Sequence, residues 1–203
     1  MSGLEPARLA EQFAAALSAA DARSPVALNA RTKVAYQPGI GPHSESSTVK
    51  LVAEELTAID PAVYGQSCVG VPYPDAPRQK CDWCIGPRAD GWEWAIEVKL
   101  LRFLGDNGGP NDNMLMHVLS PYAQHRSAVT DCDKLRQANL ATRSAVLIYG
   151  FESSDWPLGP AIEAFETIAN ARGQVGPRNE ASFAHLIHPV HRSGSVFVWE
   201  VLR

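Results

Sequence analysis

The sequence predicts an α/β fold with a central mixed β-sheet flanked by helices. Two runs, WEWAIEVKLLRFL (92–104) and SAVLIYGFE (144–152), are apolar almost throughout, as strands buried on both faces are. The interval between them is long enough for a crossover helix, which makes the second strand parallel within its sheet. Helical periodicity precedes and follows the pair. The chain has 203 residues, 45% hydrophobic and 20% charged, a balance that suits one globular domain over 1–203.

The elements follow in order. Residues 4–22 read as an Ala-rich amphipathic helix, with Leu9, Phe13, Leu17 and Ala20 at helical spacing. Residues 23–44 are broken by Pro25, Pro38, Gly39, Gly41 and Pro42. A second helix spans about 45–59, with Val49, Val52, Leu56 and Ile59 on one stripe, Glu45 at the head of that stripe, and Glu55 on its flank. SCVGVPY (67–73) and KCDWCIG (80–86) are short strands, and PRADG (87–91) is a turn before the long strand at 92–104. GDNGGPNDN (105–113) is a loop on the rim of the expected site, and 114–126 include a short helix. Thr130 or Asp131 caps a helix to about 140, and the strand at 144–152 follows. A helix over 158–172 and a strand over 194–202 complete the order α-β-β-β-α-β-α-β.

The formal net charge of −4 speaks against an abundant non-specific DNA-coating protein, yet leaves room for a local site that meets phosphates. The N-terminal residues lack the basic start and apolar core of a signal peptide, and no run approaches ~18 apolar residues. These features predict a cytoplasmic protein, with no membrane span and with Cys68, Cys81, Cys84 and Cys132 reduced.

CDWCIGPRADGWEWAIEVK carries the chemistry. Glu97 and Lys99 are two apart on a strand and share a face, while Val98 takes the other. With a turn centred near Asp90-Gly91, Asp82 falls opposite Lys99 and diagonal to Glu97, at cross-strand distances of ~5 Å. A Glu-x-Lys pair alone also fits a solvated strand face. Here the pair is set among Trp92, Trp94, Ile96, Val98, Leu100 and Leu101, and Asp82 among Cys81, Trp83, Cys84 and Ile85, where buried charge needs partners or a purpose. Two carboxylates can hold Mg²⁺ through hard oxygen ligands, and a neighbouring ammonium can orient water and offset developing charge on a phosphate.

Asp82, the turn and Glu97-Val98-Lys99 together resemble the PD-(D/E)XK, or restriction-endonuclease-like, superfamily. The resemblance covers about residues 45–152, leaving the helix at 4–22 and the elements of 158–202 outside that core. It implies a Mg²⁺-dependent nuclease, with Mn²⁺ as a substitute, that hydrolyses DNA phosphodiesters, endonuclease favoured, and works as a homodimer in restriction, repair or defence. It implies Asp82, Glu97 and the Val98 carbonyl as metal ligands and Lys99 as the residue that assists water. A glutamate on the helix before the first strand often joins such sites, with Glu45 the first candidate and Glu55 the second. One departure from the pattern is that the literal Pro-Asp dipeptide is Pro74-Asp75, whereas Cys81 precedes Asp82.

Other features are weaker. Cys81-x-x-Cys84 invites a zinc or redox reading, but zinc needs two further ligands, and residues three apart on a strand face opposite ways. Arg126, Lys134 and Gln137 in the polar stretch 120–137 are candidates for contact with a nucleic-acid backbone, against the plainer reading of a solvated helix face. His185, His188 and His191 read as loop histidines with no carboxylate nearby before Glu200. Two rivals to the nuclease remain: an inactive nuclease-fold binding module, and a small zinc-binding regulatory protein built on Cys81 and Cys84.

Overall fold

A computed structural model describes residues 3–86 and 91–203. Its elements are α1 (Pro6–Ala22), α2 (Glu45–Ile59), α3 (Pro61–Tyr64), β1 (Cys68–Tyr73), β2 (Ala76–Ile85), β3 (Trp92–Arg102), α4 (Met116–Leu119), α5 (Ala128–Gln137), β4 (Ala141–Phe151), α6 (Gly159–Ala171), β5 (Asn179–Phe183) and β6 (Gly194–Glu200). The six strands form one mixed sheet in the order β1-β2-β3-β4-β6-β5. β3 and β4 are parallel, from Trp92↔Ala141 to Arg102↔Phe151, and α5 lies on the connection between them. The other pairs are antiparallel.

Helices cover both faces. On one, α1 (Leu9, Phe13, Leu17) and α2 (Val49, Val52, Leu56) pack on Trp83, Trp94, Ile96, Val98, Leu147 and Tyr149. On the other, α5 (Val129, Cys132, Leu135) and α6 (Ile162, Phe165) pack on Ala95, Leu101, Val146, Ile148 and Trp199. Alternate residues of β3 therefore enter two separate cores, and Glu97 and Lys99 fall in line with Ala95 and Leu101, on the α5 side.

Several expectations need correction. α5 is capped by Ser127, whose hydroxyl accepts from the Thr130 amide, rather than by Thr130 or Asp131, and it ends at Gln137. β2 starts four residues earlier than expected, at Ala76, so Pro74-Asp75 forms the tight turn from β1. β5 was not foreseen; it is an edge strand with a single apolar buried position, Phe183. The turn expected at 87–91 lies almost wholly outside the described residues.

The β2–β3 register also differs. Trp83 pairs with Ile96, so extension of the ladder sets Asp82 against Glu97 rather than Lys99. The ladder stops there, and β2 leaves β3 beyond Ile96. At the same point the in–out alternation of β1 and β2 reverses. Val69 and Trp83 face the α1–α2 core, whereas Val71 and Cys81 face the α5 side. Gly70, at φ +73°, sits across from Asp82 at this reversal and adopts a conformation that a side chain would strain. The reversal places Cys81 and Cys84, three apart, on one face, contrary to simple alternation.

The histidines also depart from expectation. His188 and His191 stack in the interior, with ring centroids 4.7 Å apart, and a distant carboxylate reaches them: His191 Nε2 lies 3.3 Å from Asp106 Oδ1. The 105–113 loop thus docks on the 185–193 segment rather than forming the rim of the site. Burial, His188 and Arg102 lower the His191 pKa to about 4, and burial also lowers that of His188. A lowered folded pKa means that the unfolded chain binds more protons below about pH 6.5, so stability present above that pH is lost as pH falls toward 4. In urea denaturation between pH 7 and 4.5 the native protein should lose on the order of 2 kcal/mol more than His191→Gln, a comparison in which the carboxylates common to both proteins cancel. An equal loss in both proteins would show that this pair does not set the acid limit.

Candidate active site

The site is built where β2 leaves β3. Beyond Ile96 the outward amides and carbonyls of β3 lose their ladder partners, and side chains replace them. Cys81 Sγ donates to the Ile96 carbonyl (3.4 Å), the Val98 amide donates to Asp82 Oδ2 (2.9 Å), and the Leu100 amide donates to Glu45 Oε2 (2.8 Å). Glu45 reaches the strand because it opens α2, directly after the Ser44 cap. Glu55, the second candidate, is buried away from the site and pairs with Arg23 at 2.5 Å. Asp75 lies on the β1–β2 turn at the cleft edge, whereas Asp82 contacts the strand that carries Glu97 and Lys99.

On the α5 side, Lys99 Nζ lies 2.6 Å from Asp131 Oδ2, 3.9 Å from Glu45 Oε1, and donates to the Val98 carbonyl (3.1 Å). Lys134 Nζ bridges Glu97 Oε1 and Asp131 Oδ1, each at 2.8 Å. The Tyr73 hydroxyl donates to Glu97 Oε1, and the Lys134 ammonium sits over the Tyr73 ring, 5.2 Å from its centroid. These groups line a cleft of about 1200 Å³, with Arg126 and Gln137 exposed on its wall. Lys134 is thus committed to carboxylates inside the cleft, not to a solvated helix face. Sequence reasoning passed over Tyr73 and gave Asp131 no firm role. The signal for Asp131 was an acid inside the apolar stripe Ala128, Cys132 and Leu135 at helical spacing.

Four carboxylates (Glu45, Asp82, Glu97, Asp131) meet two ammoniums (Lys99, Lys134), a formal surplus of two negative charges when every acid is ionised. Proton affinities shift accordingly. Burial, then Asp131, Cys81 and Asp82, push Glu97 well above the usual carboxylate range, with Lys134 opposing. Burial also raises Glu45, against the pull of Lys99. Burial would lower Lys99, but Asp131, Glu45, Asp82 and Glu97 outweigh it and hold the ammonium protonated. Lys99 therefore acts as a fixed positive donor, not as a base. The oxygens of this set suit a hard divalent cation, and the charge surplus equals that of one such ion. Among the described residues, no three His, Cys, Asp or Glu side chains converge as ligands in this arrangement; the two ammoniums lie between the acids.

Cys81 and Cys84 lie inside the apolar core with Ala95 and Cys132, and the Cys81 thiol is raised by its contact with Cys84 and by burial. This is the behaviour of small buried hydrophobes rather than of exposed thiolate ligands.

No protein-family model, curated protein or solved structure matches the chain. No helix among the described residues is long and apolar enough to cross a membrane.

Because Glu97 binds a proton more readily folded than unfolded, its charge at pH 7 costs stability, and that cost disappears as pH falls through its raised pKa. In a chelator at pH 7, Glu97→Gln should be more stable than the native protein by about 1 kcal/mol, and the gap should narrow at pH 5. Comparing the two proteins at each pH cancels the histidine contribution. A variant less stable than native at pH 7 would contradict this electrostatic assignment.

Proposed function

We propose that the chain is a divalent-metal-dependent nuclease with a restriction-endonuclease-like core formed by α2, β1–β3, α5 and β4, acting on DNA phosphodiesters. The observation that carries this reading is the gathering of Glu45, Asp82, Glu97 and Asp131 around Lys99 at the β2–β3 divergence, with two surplus negative charges on the floor of a cleft. Asp82 and Glu97 are the residues that would hold Mg²⁺ or Mn²⁺, with Lys134 giving up Glu97 to the ion and the Val98 carbonyl within the same patch. When bound, such an ion supplies charge neutralisation on the phosphate and an acidified water.

The rest follows from the chain's own groups. Lys99 donates to the attacking water and to the charge that grows on the phosphoryl oxygens. Asp131 fixes the Lys99 ammonium and keeps it protonated. Glu45, whose proton affinity burial raises, accepts the proton that the water gives up as its oxygen bonds to phosphorus and the ester bond to the leaving sugar oxygen breaks. Lys134, anchored in the cleft by Asp131, would offer a positive donor to a phosphate oxygen.

The test is cleavage of plasmid and of single-stranded DNA by the purified protein in Mg²⁺ or Mn²⁺. Lys99→Ala, Asp82→Asn and Glu97→Gln should each lower the rate at least 10²-fold, the usual scale for a lost electrostatic group. Mn²⁺ should raise the Tm of the native protein and leave that of Glu97→Gln unchanged. No cleavage by the native protein, with no Tm shift, would favour an inactive nuclease-fold binding module. Cleavage unaffected by Lys99→Ala would remove the assignment altogether.

A further inference from the structure

We propose that the loop between α4 and α5 is a stacking platform, and that the cleft takes single-stranded nucleic acid in preference to continuous duplex. This rests on the nuclease reading for the chemistry, but the platform itself stands on separate observations.

Tyr122 is 62% exposed beside the cleft, between the lining residues Pro121 and Ala123. A lone exposed aromatic needs no explanation. This one is held in place. Its amide donates to Ser120 Oγ (3.2 Å), and its carbonyl accepts from the His125 amide (3.0 Å). Its ring meets the His125 ring edge-on, with centroids 5.8 Å apart and planes at 80°. His125 Nδ1 is tied to Ser120 Oγ at 2.6 Å, and the Ser127 hydroxyl closes the loop onto the Ser120 carbonyl. Arg126 is held at φ 49°, a left-handed conformation that a non-glycine residue adopts at a cost. The loop thus presents a flat ring whose ordering has largely been met before any ligand arrives.

The charges around the ring point the same way. The cleft floor is acidic, but its edges carry Arg126 from this loop and Arg78 and Lys80 from β2, against Asp75 on the β1–β2 turn and Asp133, which is paired with Arg172. That pattern suits a backbone whose phosphates lie along the edges while one scissile phosphate dips to the floor. Glu97 and Asp131 on that floor are each only 2% exposed. A single strand can bend inward to reach them; a duplex offers its phosphates on a stiff convex surface. The faces of paired bases are covered by their neighbours, so an exposed tyrosine can stack only on an unpaired base or a strand end.

Binding is read by fluorescence anisotropy in a chelator, where cleavage cannot occur, with labelled oligo(dT), oligo(U) and a blunt mixed-sequence duplex. The native protein should bind oligo(dT) or oligo(U) at least about tenfold tighter than duplex. Tight binding of either supports the platform, and the tighter one names the sugar it meets. Tyr122→Ala should weaken single-strand binding about tenfold and leave duplex binding unchanged, while Tyr122→Phe should retain it. Arg126→Ala should weaken single-strand binding and lower its salt slope by about one. Equal affinity for single strand and duplex, or no effect of Tyr122→Ala, overturns the proposal. Lys99-dependent cleavage alongside such a result would leave the nuclease reading intact. Conversely, Tyr122-dependent binding without Lys99-dependent cleavage would keep the platform and remove the nuclease.

Discussion

The candidate site depends on a backbone problem. Where β2 leaves β3, the Val98 and Leu100 amides of a buried central strand have no strand to bond, and a buried unpaired amide is costly. Asp82 and Glu45 solve it with carboxylates, and Cys81 does the same for the Ile96 carbonyl. Because the replacements for a missing strand are acids, the same divergence that opens a cleft also lines it with carboxylate oxygens. Gly70 belongs to this arrangement: its positive φ lies at the point where the two outer strands reverse their faces.

The second constraint is charge. The acids crowd into a low-dielectric floor, where two of them bind protons more readily than in water. Lys99 and Lys134 hold the floor together without neutralising it, and Asp131 serves both. Such a site gives up stability that would be regained by any ligand bringing two positive charges, which is the usual relation between a preorganised site and its fold. α5 matters here because one turn of it supplies both Asp131 and Lys134 to residues of β3.

Much of this was legible in the chain. The apolar runs of β3 and β4, the stripes of α1, α2 and α6, and the shared face of Glu97 and Lys99 follow from periodicity and spacing, because burial on two faces leaves few alternatives; Glu45 was pointed to by the resemblance alone, and Asp82 arrived beside the pair through a different register than the spacing suggested. What escaped depends on tertiary placement. Asp131 became a partner of Lys99 only through the crossover that lays α5 against β3. Tyr73 reached Glu97 only because β1 and β2 turn their faces together. The shared face of Cys81 and Cys84 defied simple alternation for the same reason. β5 offered too weak an apolar pattern to be seen, since an edge strand buries little. The histidine pair acquired Asp106 from a loop 85 residues away.

The double duty of Asp82 and Glu45 bears on how such chains age. Each holds a strand amide whether or not any ion is bound, so drift away from turnover would still be penalised for losing an oxygen at either place. Asparagine or glutamine would satisfy the strand while silencing the acid. A descendant that had abandoned its chemistry would then keep polar, similarly shaped side chains there, and Asp131 would still hold both Lys99 and Lys134 in place.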